Sequence, residues 1–413
     1  MAGPLGRQEF MDQTGTNLFR VKEYNETRVL DIVRTRGSVS RRDIAEKSGL
    51  RFQTVSNIAN RLREAGVILE EPASAGDGRR RPVKLRLNER AAYAVGIQLS
   101  RSSLSVVATD FSARVLARAS SDVAASEGPS VAVSALREHV GRVIGEAGLP
   151  ADKILGAGIG MPGPTGPKIG RMLDPSFAGW SGYPIKQELE RQLAMPICVD
   201  NDATAAALGE RWTGVATNVS DFVYVYLGSG VGAGVFANHQ VCRGSSGNSG
   251  EIGHVSVQPD GPPCYCGNRG CLEVYATPQG ILREARGVVL RKSHLPGEAG
   301  SPLPDCAEDV IRSDEPSYHS VVEAVGDRLG RAVSSMVGVL DPELIVLGGP
   351  TVELVGDCFR ESVVRALHDT SLPVRPLARV EISSIGADAG PVGAAALVLH
   401  DTYAPSMQRL SLA

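Results

Sequence analysis

Residues 251–273 read EIGHVSVQPDGPPCYCGNRGCLE. His254 is followed after nine residues by Cys264, then after one by Cys266 and after four by Cys271, the pattern H-x9-C-x-C-x4-C. Three thiolates and one imidazole complete a tetrahedral shell for Zn²⁺, and a complete shell leaves no position for water, so the site is expected to be structural, one ion per chain. Gly261 and Gly267 permit the tight turns that bring the thiolates together. The alternative is three free thiols near an unrelated histidine. The remaining cysteines are Cys198, Cys242, Cys306 and Cys358, seven in all. An odd count with no visible signal peptide predicts a reducing compartment and a cytoplasmic protein.

Outward from this stretch, residues 93–120 and 222–245 resemble each other. Each reads strand, short turn, strand, turn, strand, with helices and further strands behind it. A duplicated meander-plus-helix unit predicts two similar α/β lobes with a ligand cleft between them. Several strands end in turns suited to binding. Residues 154–159 lead into Gly160-Met161-Pro162-Gly163-Pro164, residues 196–199 into Asp200-Asn201-Asp202, and residues 344–347 into Gly348-Gly349-Pro350. Asp202 precedes a helix at 203–211 and is expected to serve as its N-cap, a binding residue, or both.

The N-terminal part differs. Residues 24–36 have a helical stripe of Val29, Leu30, Ile32 and Val33. Gly37 ends that helix, and Ser40-Arg41-Arg42-Asp43 is a capping box opening a short helix over 41–48. Gly49 turns the chain into a third helix over 51–64. Its inner face is Val55, Ile58 and Leu62, and its outer face is Gln53, Thr54, Ser56, Asn57 and Asn60. This is a helix–turn–helix whose second helix presents short polar side chains to base edges. Strands at 67–69 and 83–87 flank a hairpin turn at Gly76-Asp77-Gly78, and its tip carries Arg79, Arg80 and Arg81, suited to phosphates or the minor groove. The other reading is a small helical interaction domain with a solvated basic hairpin.

Charge follows the same division. Of 413 residues, 18–90 hold 17 Lys/Arg against 10 Asp/Glu, whereas 91–413 hold 25 against 34. A basic head on an acidic body predicts an anionic partner for the head alone. No apolar run is long enough to span a membrane. The expected organisation is a disordered or tag-derived tail over 1–17 and a winged helix-turn-helix over 18–90. A first α/β lobe follows over 91–200 with a C-terminal helix at 389–402, and a second lobe with the metal site over 201–388.

With residues 251–273 at its most specific part, the chain over 18–400 resembles the ROK family of repressors, open reading frames and sugar kinases. The resemblance implies an actin-like (ribonuclease H-like), two-lobed sugar-kinase fold. It further implies that Asn201, Asp202, Glu251, His254 and Glu273 hydrogen-bond sugar hydroxyls. His254 would use one ring nitrogen for zinc and the other for sugar, which fixes its tautomer. In the family's kinases the position of Asp202 is the general base. The chain departs from them after the first strand, where an Asp, two glycines and a Thr are expected and Gln98-Leu99-Ser100-Arg101-Ser102 stands instead. Support for Mg²⁺ is lost there, and Arg101 would occupy phosphate space. Gly228-Ser229-Gly230-Val231-Gly232 keeps the second loop.

These readings predict a non-catalytic, sugar-responsive repressor of carbohydrate uptake or metabolism genes. It would bind a palindromic operator as a homodimer or dimer of dimers, with a sugar or sugar phosphate as effector. Two alternatives stay open: an active ATP-dependent sugar kinase with a DNA-binding head, and a regulator controlled by a partner protein.

Overall fold

The structure is a computed structural model. It describes residues 18–71, 83–100, 103–122, 127–163, 165–166, 171–172, 179–180, 182–292, 303–370 and 377–405. The chain divides into two compact units, residues 1–91 with 401–413, and residues 92–400.

In the first unit, α1 (Leu18–Arg36) leads through β1 (Val39–Ser40) to α2 (Arg41–Ser48), α3 (Phe52–Glu64), β2 (Ile68–Glu71) and β3 (Lys84–Leu87). Helix α1 starts earlier than the predicted residue 24, because no Gly or Pro interrupts residues 18–23. The capping box is present: Ser40 Oγ accepts from the Asp43 amide, and the Asp43 carboxylate accepts from the Ser40 amide. Gly49 takes the left-handed conformation, φ 72°, at the turn before α3. Val55, Ile58, Ala59 and Leu62 bury their face of α3 in a core with Val29, Val33 and Ile44. Strand β3 pairs antiparallel with both β1 and β2. These elements make a winged helix. The predicted wing turn at 76–78 and its arginines at 79–81 lie outside the described residues.

The second unit opens with β4 (Tyr93–Leu99), β5 (Leu104–Asp110), β6 (Val115–Ser121), α4 (Pro129–Glu146) and β7 (Ile154–Met161). A two-residue ladder follows, β8 (Thr165–Gly166) with β9 (Arg171–Met172), then α5 (Ile185–Leu193) and β10 (Ile197–Asn201). Next come α6 (Asp202–Thr213), β11 (Phe222–Leu227), β12 (Val231–Ala237), β13 (Gln240–Val241), α7 (Leu272–Ala276), α8 (Pro278–Lys292), α9 (Ala307–Ile311) and α10 (Pro316–Leu340). The unit closes with β14 (Leu344–Gly348), α11 (Pro350–Thr370), β15 (Arg379–Ile382) and all but the last three residues of α12 (Ala389–Tyr403).

The predicted duplication is visible in the sheets. One has order β10-β7-β4-β5-β6 and the other β13-β12-β11-β14-β15. In each, the first strand in sequence is central. It pairs antiparallel with the second strand, which pairs antiparallel with the third, and parallel with the fourth, which pairs parallel with the fifth. Each sheet has its own apolar core, around Val95, Ile97, Leu136 and Trp180 in the first lobe and Val223, Tyr275, Leu329 and Phe359 in the second.

Two helices join the lobes. Helix α12 lies against the first sheet so closely that a Cβ on Gly158 would stand 1.8 Å from the Ala394 carbonyl oxygen. Helix α6 approaches the second sheet similarly: a Cβ on Gly234 would stand 2.4 Å from the Ala203 carbonyl oxygen. The two helices touch each other at Gly393 and Ala205. Small residues over most of α12, buried from Ala389 to Leu399, permit this backbone-to-backbone packing.

Candidate functional site

A cleft opens in the second unit where strand ends of both sheets meet. It is lined by Pro162 and Gly163 after β7, Asn201 and Asp202 where β10 becomes α6, and Tyr226 of β11. Ser229, Gly230, Val231 and Gly232, with Glu251, Tyr265 and Glu273, complete it. Four of the five residues that the family resemblance implied for sugar therefore share one cavity. His254, the fifth, stands behind Glu251, with Nε2 4.0 Å from Glu251 Oε2.

Asn201, not Asp202, caps α6. Its Oδ1 accepts from the amides of Ala203 and Thr204 at 2.9 and 3.3 Å. The strand runs two residues further than predicted, to Asn201, so the cap moves back and Asp202 becomes the first helical residue. The cap consumes the Asn201 carbonyl oxygen and leaves its amide nitrogen for a ligand. Asp202 Oδ1 also accepts from the Ala203 amide, at 2.8 Å. Burial pushes the Asp202 carboxyl up to about 6; the Ala203 amide opposes the rise, and the negative charges of Glu251 and Glu273 add to it. Burial also raises Glu251, with Glu273 adding to the rise and His254 opposing it. Glu273, at the start of α7, accepts from the Val231 amide at 3.1 Å and so seats the glycine turn after β11.

Sequence reasoning missed three parts of this site. Tyr265, between two cysteines of the motif, lines the cleft and places its hydroxyl 3.1 Å from His254 Nε2. The nitrogen expected to meet a sugar thus has a phenol as its neighbour. Asp200 accepts from Arg243 Nε and Nη2 at 2.9 and 2.8 Å, and its other oxygen accepts from the Asn201 amide, tying the segment before Glu251 to the Asn201-Asp202 junction. Tyr226 Oη accepts from Gln98 Nε2 at 3.0 Å. The signals available were a tyrosine between two ligands and a third carboxyl-or-amide residue in Asp200-Asn201-Asp202. Of the stretch Gln98–Ser102, Arg101 and Ser102 lie outside the described residues.

The His254, Cys264, Cys266 and Cys271 ligand atoms all lie within 4.8 Å of one another. His254 Nδ1 is 3.6 Å from Cys264 Sγ, and Cys266 Sγ is 3.7 Å from Cys271 Sγ. The edge of a tetrahedron with zinc-like bond lengths is roughly 3.5–3.8 Å, so the four donors fit a tetrahedral ion. Gly270, φ 61°, makes the tight turn into Cys271; a Cβ there would stand 1.7 Å from the Gln258 carbonyl oxygen. Burial pushes the Cys271 thiol up to about 12, with the neighbouring thiols adding to the rise. A cation bound among these donors would favour the thiolate of Cys271 against that rise.

In the winged helix, Gln53, Asn57 and Asn60 are exposed on α3, while Thr54 and Ser56 are half-buried. Gln53 Nε2 donates to Asn57 Oδ1 at 3.2 Å, forming a polar pair on the exposed face. Arg41, at the start of α2, reaches the same face. It donates to Asn60 Oδ1 at 3.4 Å and pairs with Glu70 at 2.7 Å, and Glu70 also pairs with Arg63 at 3.4 Å. Among the described residues, no helix is long and apolar enough to cross a membrane.

Comparison with known proteins bears on the family and the fold. The ROK family profile matches residues 94–401, and a MarR family profile matches residues 23–80. A putative xylose repressor of Caldicellulosiruptor sp. is 28% identical over 398 residues, covering 93% of this chain and 97% of that one. A glucokinase of Halalkalibacterium halodurans is 37% identical over 252 residues, covering 59% of this chain and 76% of that one. The crystal structure of a ROK family transcriptional regulator, a homologue of the Escherichia coli MLC protein, aligns with TM-score 0.76 at 24% identity over 95% of this chain and 99% of that one. The second unit shares its fold with sugar kinases, and a winged helix stands ahead of it. The chain belongs to the ROK family.

Proposed function

We propose that this protein is a sugar-responsive DNA-binding transcription regulator, a repressor of carbohydrate uptake or metabolism genes, whose body binds a sugar without phosphorylating it. One observation carries the reading: Asn201, Asp202, Glu251 and Glu273 converge on a single cleft while Gln98 stands where the family's kinases carry an aspartate. Carboxylates and an amide at neighbouring positions suit adjacent sugar hydroxyls, and each bond left unmade in a desolvated cleft costs about 1–3 kcal/mol. An amide in place of the carboxylate gives Mg²⁺ a poor ligand, and phosphoryl transfer depends on that charge neutralisation.

The four-ligand cluster would hold one structural Zn²⁺, which bridges His254 to the loop leading into Glu273 and orders both acids. Gln53, Thr54, Ser56, Asn57 and Asn60 would read bases, with Arg79, Arg80 and Arg81 on the flanking backbone or minor groove. Arg41 extends that set. The regulator would occupy a palindromic operator in the cytoplasm as a homodimer or dimer of dimers, and sugar in the cleft would change the spacing of its paired winged helices.

The test is DNA affinity, read by fluorescence anisotropy on a duplex selected from random sequence by the protein itself, with and without D-xylose or D-glucose. Sugar should weaken wild-type binding. Asp202→Ala should bind DNA normally and ignore the sugar. A wild type indifferent to every sugar tried, or an Asp202→Ala that responds like it, would move control to a partner protein. A second reading, active kinase, is favoured by the raised Asp202 carboxyl, suited to accept a proton near neutrality; ADP release with either sugar at ordinary kinase turnover would establish it.

A further inference from the structure

The outward face of α3 has two flanks. Ser56, Asn60 and Arg63 follow one another on the first at helical spacing, and Thr54, Asn57 and Arg61 on the second. The first flank is occupied from α2 and β2: Arg41 reaches Asn60, and Glu70 holds Arg41 at 2.7 Å and Arg63 at 3.4 Å. The second flank faces α1 across an open space. A hollow of about 260 Å³ lies there, with Lys22 and Asn25 of α1 and Thr54, Asn57, Ile58 and Arg61 of α3 in its lining. Thr54 and Asn57 also belong to the set expected to read bases, so the hollow and the reading face are continuous.

The lining suits an anion. It contains Lys22 and Arg61 and, among the described residues, no Asp or Glu. Lys22 is exposed and makes no ion pair among the described residues. Glu26, one turn further along α1, pairs with Arg61 Nη2 at 3.4 Å, longer than an ordinary charge-assisted bond. Arg61 Nε is buried and meets no acceptor among the described residues. A buried N–H without an acceptor costs free energy until one arrives, and a phosphate oxygen suits a guanidinium. Asn25, Thr54 and Asn57 supply neutral donors beside the two cations. The two flanks thus differ in one respect that matters: Glu70 holds both cations of the first, whereas Glu26 holds one cation of the second and leaves Lys22 free among the described residues.

Placement decides which anion. The major groove is about 12 Å wide and a helix with its side chains about 10–12 Å across. A helix whose outer face meets base edges therefore brings both flanks against the walls of the groove, and those walls are phosphate backbone. Groups standing beside a flank of α3 meet phosphates rather than bases. We propose that the hollow between α1 and α3 seats one backbone phosphate of a DNA duplex, with Lys22 and Arg61 as its cations, so that α1 fixes how α3 sits in the groove. The proposal rests on the DNA-binding reading above and adds to it a helix outside the helix–turn–helix.

Fluorescence anisotropy on the full chain tests it, with the duplex the protein selects from random sequence and a scrambled duplex of equal length. Lys22→Ala should weaken both by the same factor, roughly five- to tenfold at about 0.1 M salt, and lower the slope of log Kd against log salt by about 0.9. Lys22→Gln, which keeps the aliphatic stem, should behave like Lys22→Ala, and Lys22→Arg should bind like wild type. A methylphosphonate scan of the selected duplex then neutralises one phosphate at a time. At one position at least, the substitution should weaken the wild type by a similar factor and leave Lys22→Ala unchanged. Lys22→Ala with wild-type affinity and salt slope overturns the proposal. Loss confined to the selected duplex also overturns it, since Lys22 would then read a base. So does a scan in which every neutralised phosphate costs wild type and variant alike. If the wild type binds no duplex, the DNA-binding reading falls and this site with it; if it binds and the Lys22 variants match it, this site alone falls.

Discussion

The turns that follow β4 and β11 hold the same place in two copies of one fold, and their described residues bond differently. After β4 the chain closes on itself: the Ser100 amide and hydroxyl both donate to the Ser103 carbonyl, at 2.9 and 3.0 Å, and the Ser103 amide donates to the Ser100 hydroxyl at 3.0 Å. After β11 the turn is Gly228-Ser229-Gly230, where the Gly228 amide donates to the Gly230 carbonyl, and the next amide, Val231, is taken by the Glu273 carboxylate. The Ser103 amide is taken by a serine hydroxyl in the first turn and the Val231 amide by a cleft acid in the second. The sheets that carry the turns are the same in strand order and direction. The turns differ while the scaffold is the same in both lobes, as expected when sites are grafted on a fold rather than implied by it.

The sharpest way to break the equivalence of the lobes is to remove the four candidate metal ligands, which among the described residues only the second lobe has. Cys271→Ser is expected to abolish the single equivalent of bound metal and lower unfolding free energy by at least about 3 kcal/mol, since a structural ion's binding energy is folding energy. Hydrogen exchange should quicken over residues 251–273 and in β12, and stay slow in β4, β5 and β6. Metal-free wild type with undiminished stability would show that the four donors are simply packed thiols and an imidazole.

A smaller contrast lies between a glycine of the first sheet and a glycine of the turn after β11. Gly158→Ala drives a methyl into the Ala394 carbonyl, backbone that cannot turn aside, whereas Gly230→Ala meets the Glu273 carboxylate at 3.2 Å, the end of a flexible side chain. The first should cost about 1–3 kcal/mol in chemical denaturation and the second less than about 1 kcal/mol. Equal costs would mean that α12 slides freely on the first sheet.

Much of this was readable in the sequence because its signals are local. Ser40 and Asp43 lie three apart, the α3 stripe repeats with the helix, and the metal ligands fall within eighteen residues. The repeated meander disclosed the duplication for the same reason. What was not readable joins distant positions: Gln98 with Tyr226, Asp200 with Arg243, Glu273 with the Val231 amide. No periodicity links residues that meet only when two sheets pack. The Asn201 cap was misassigned to its neighbour because two good capping residues stand side by side, and only the strand's end decides between them. The start of α1 was set late since the apolar stripe, not helix-breaking residues, was used to bound it.

The smallest of these effects is a titration, and its two readouts run in opposite directions. Asp202 has a folded value of about 6, raised above the 3.8 of an ordinary aspartate by burial and by Glu251 and Glu273. A raised folded value means that the native state holds its proton over a range where the unfolded chain has lost it. The stability Asp202 contributes is therefore fully present below about 4 and is lost as pH rises through about 6. Asp202→Asn has no proton to lose. It should be more stable than wild type at pH 7.5, by up to about 2 kcal/mol after solvent screening at the cleft mouth, with the advantage shrinking as pH falls toward 4. Sugar binding follows the other sign. A hydroxyl is held best by the ionised carboxylate, so wild-type affinity should rise through about pH 6 and level above it. Glu251, also raised, shares the fall on the acid side. Tyr226 and His254 face the same acids, but neither replaces the acceptor that protonation removes. Asp202→Asn should bind sugar weakly, with little change as pH passes through about 6. A variant no more stable than wild type at pH 7.5 would mean that Asp202 is solvated like an ordinary surface carboxylate.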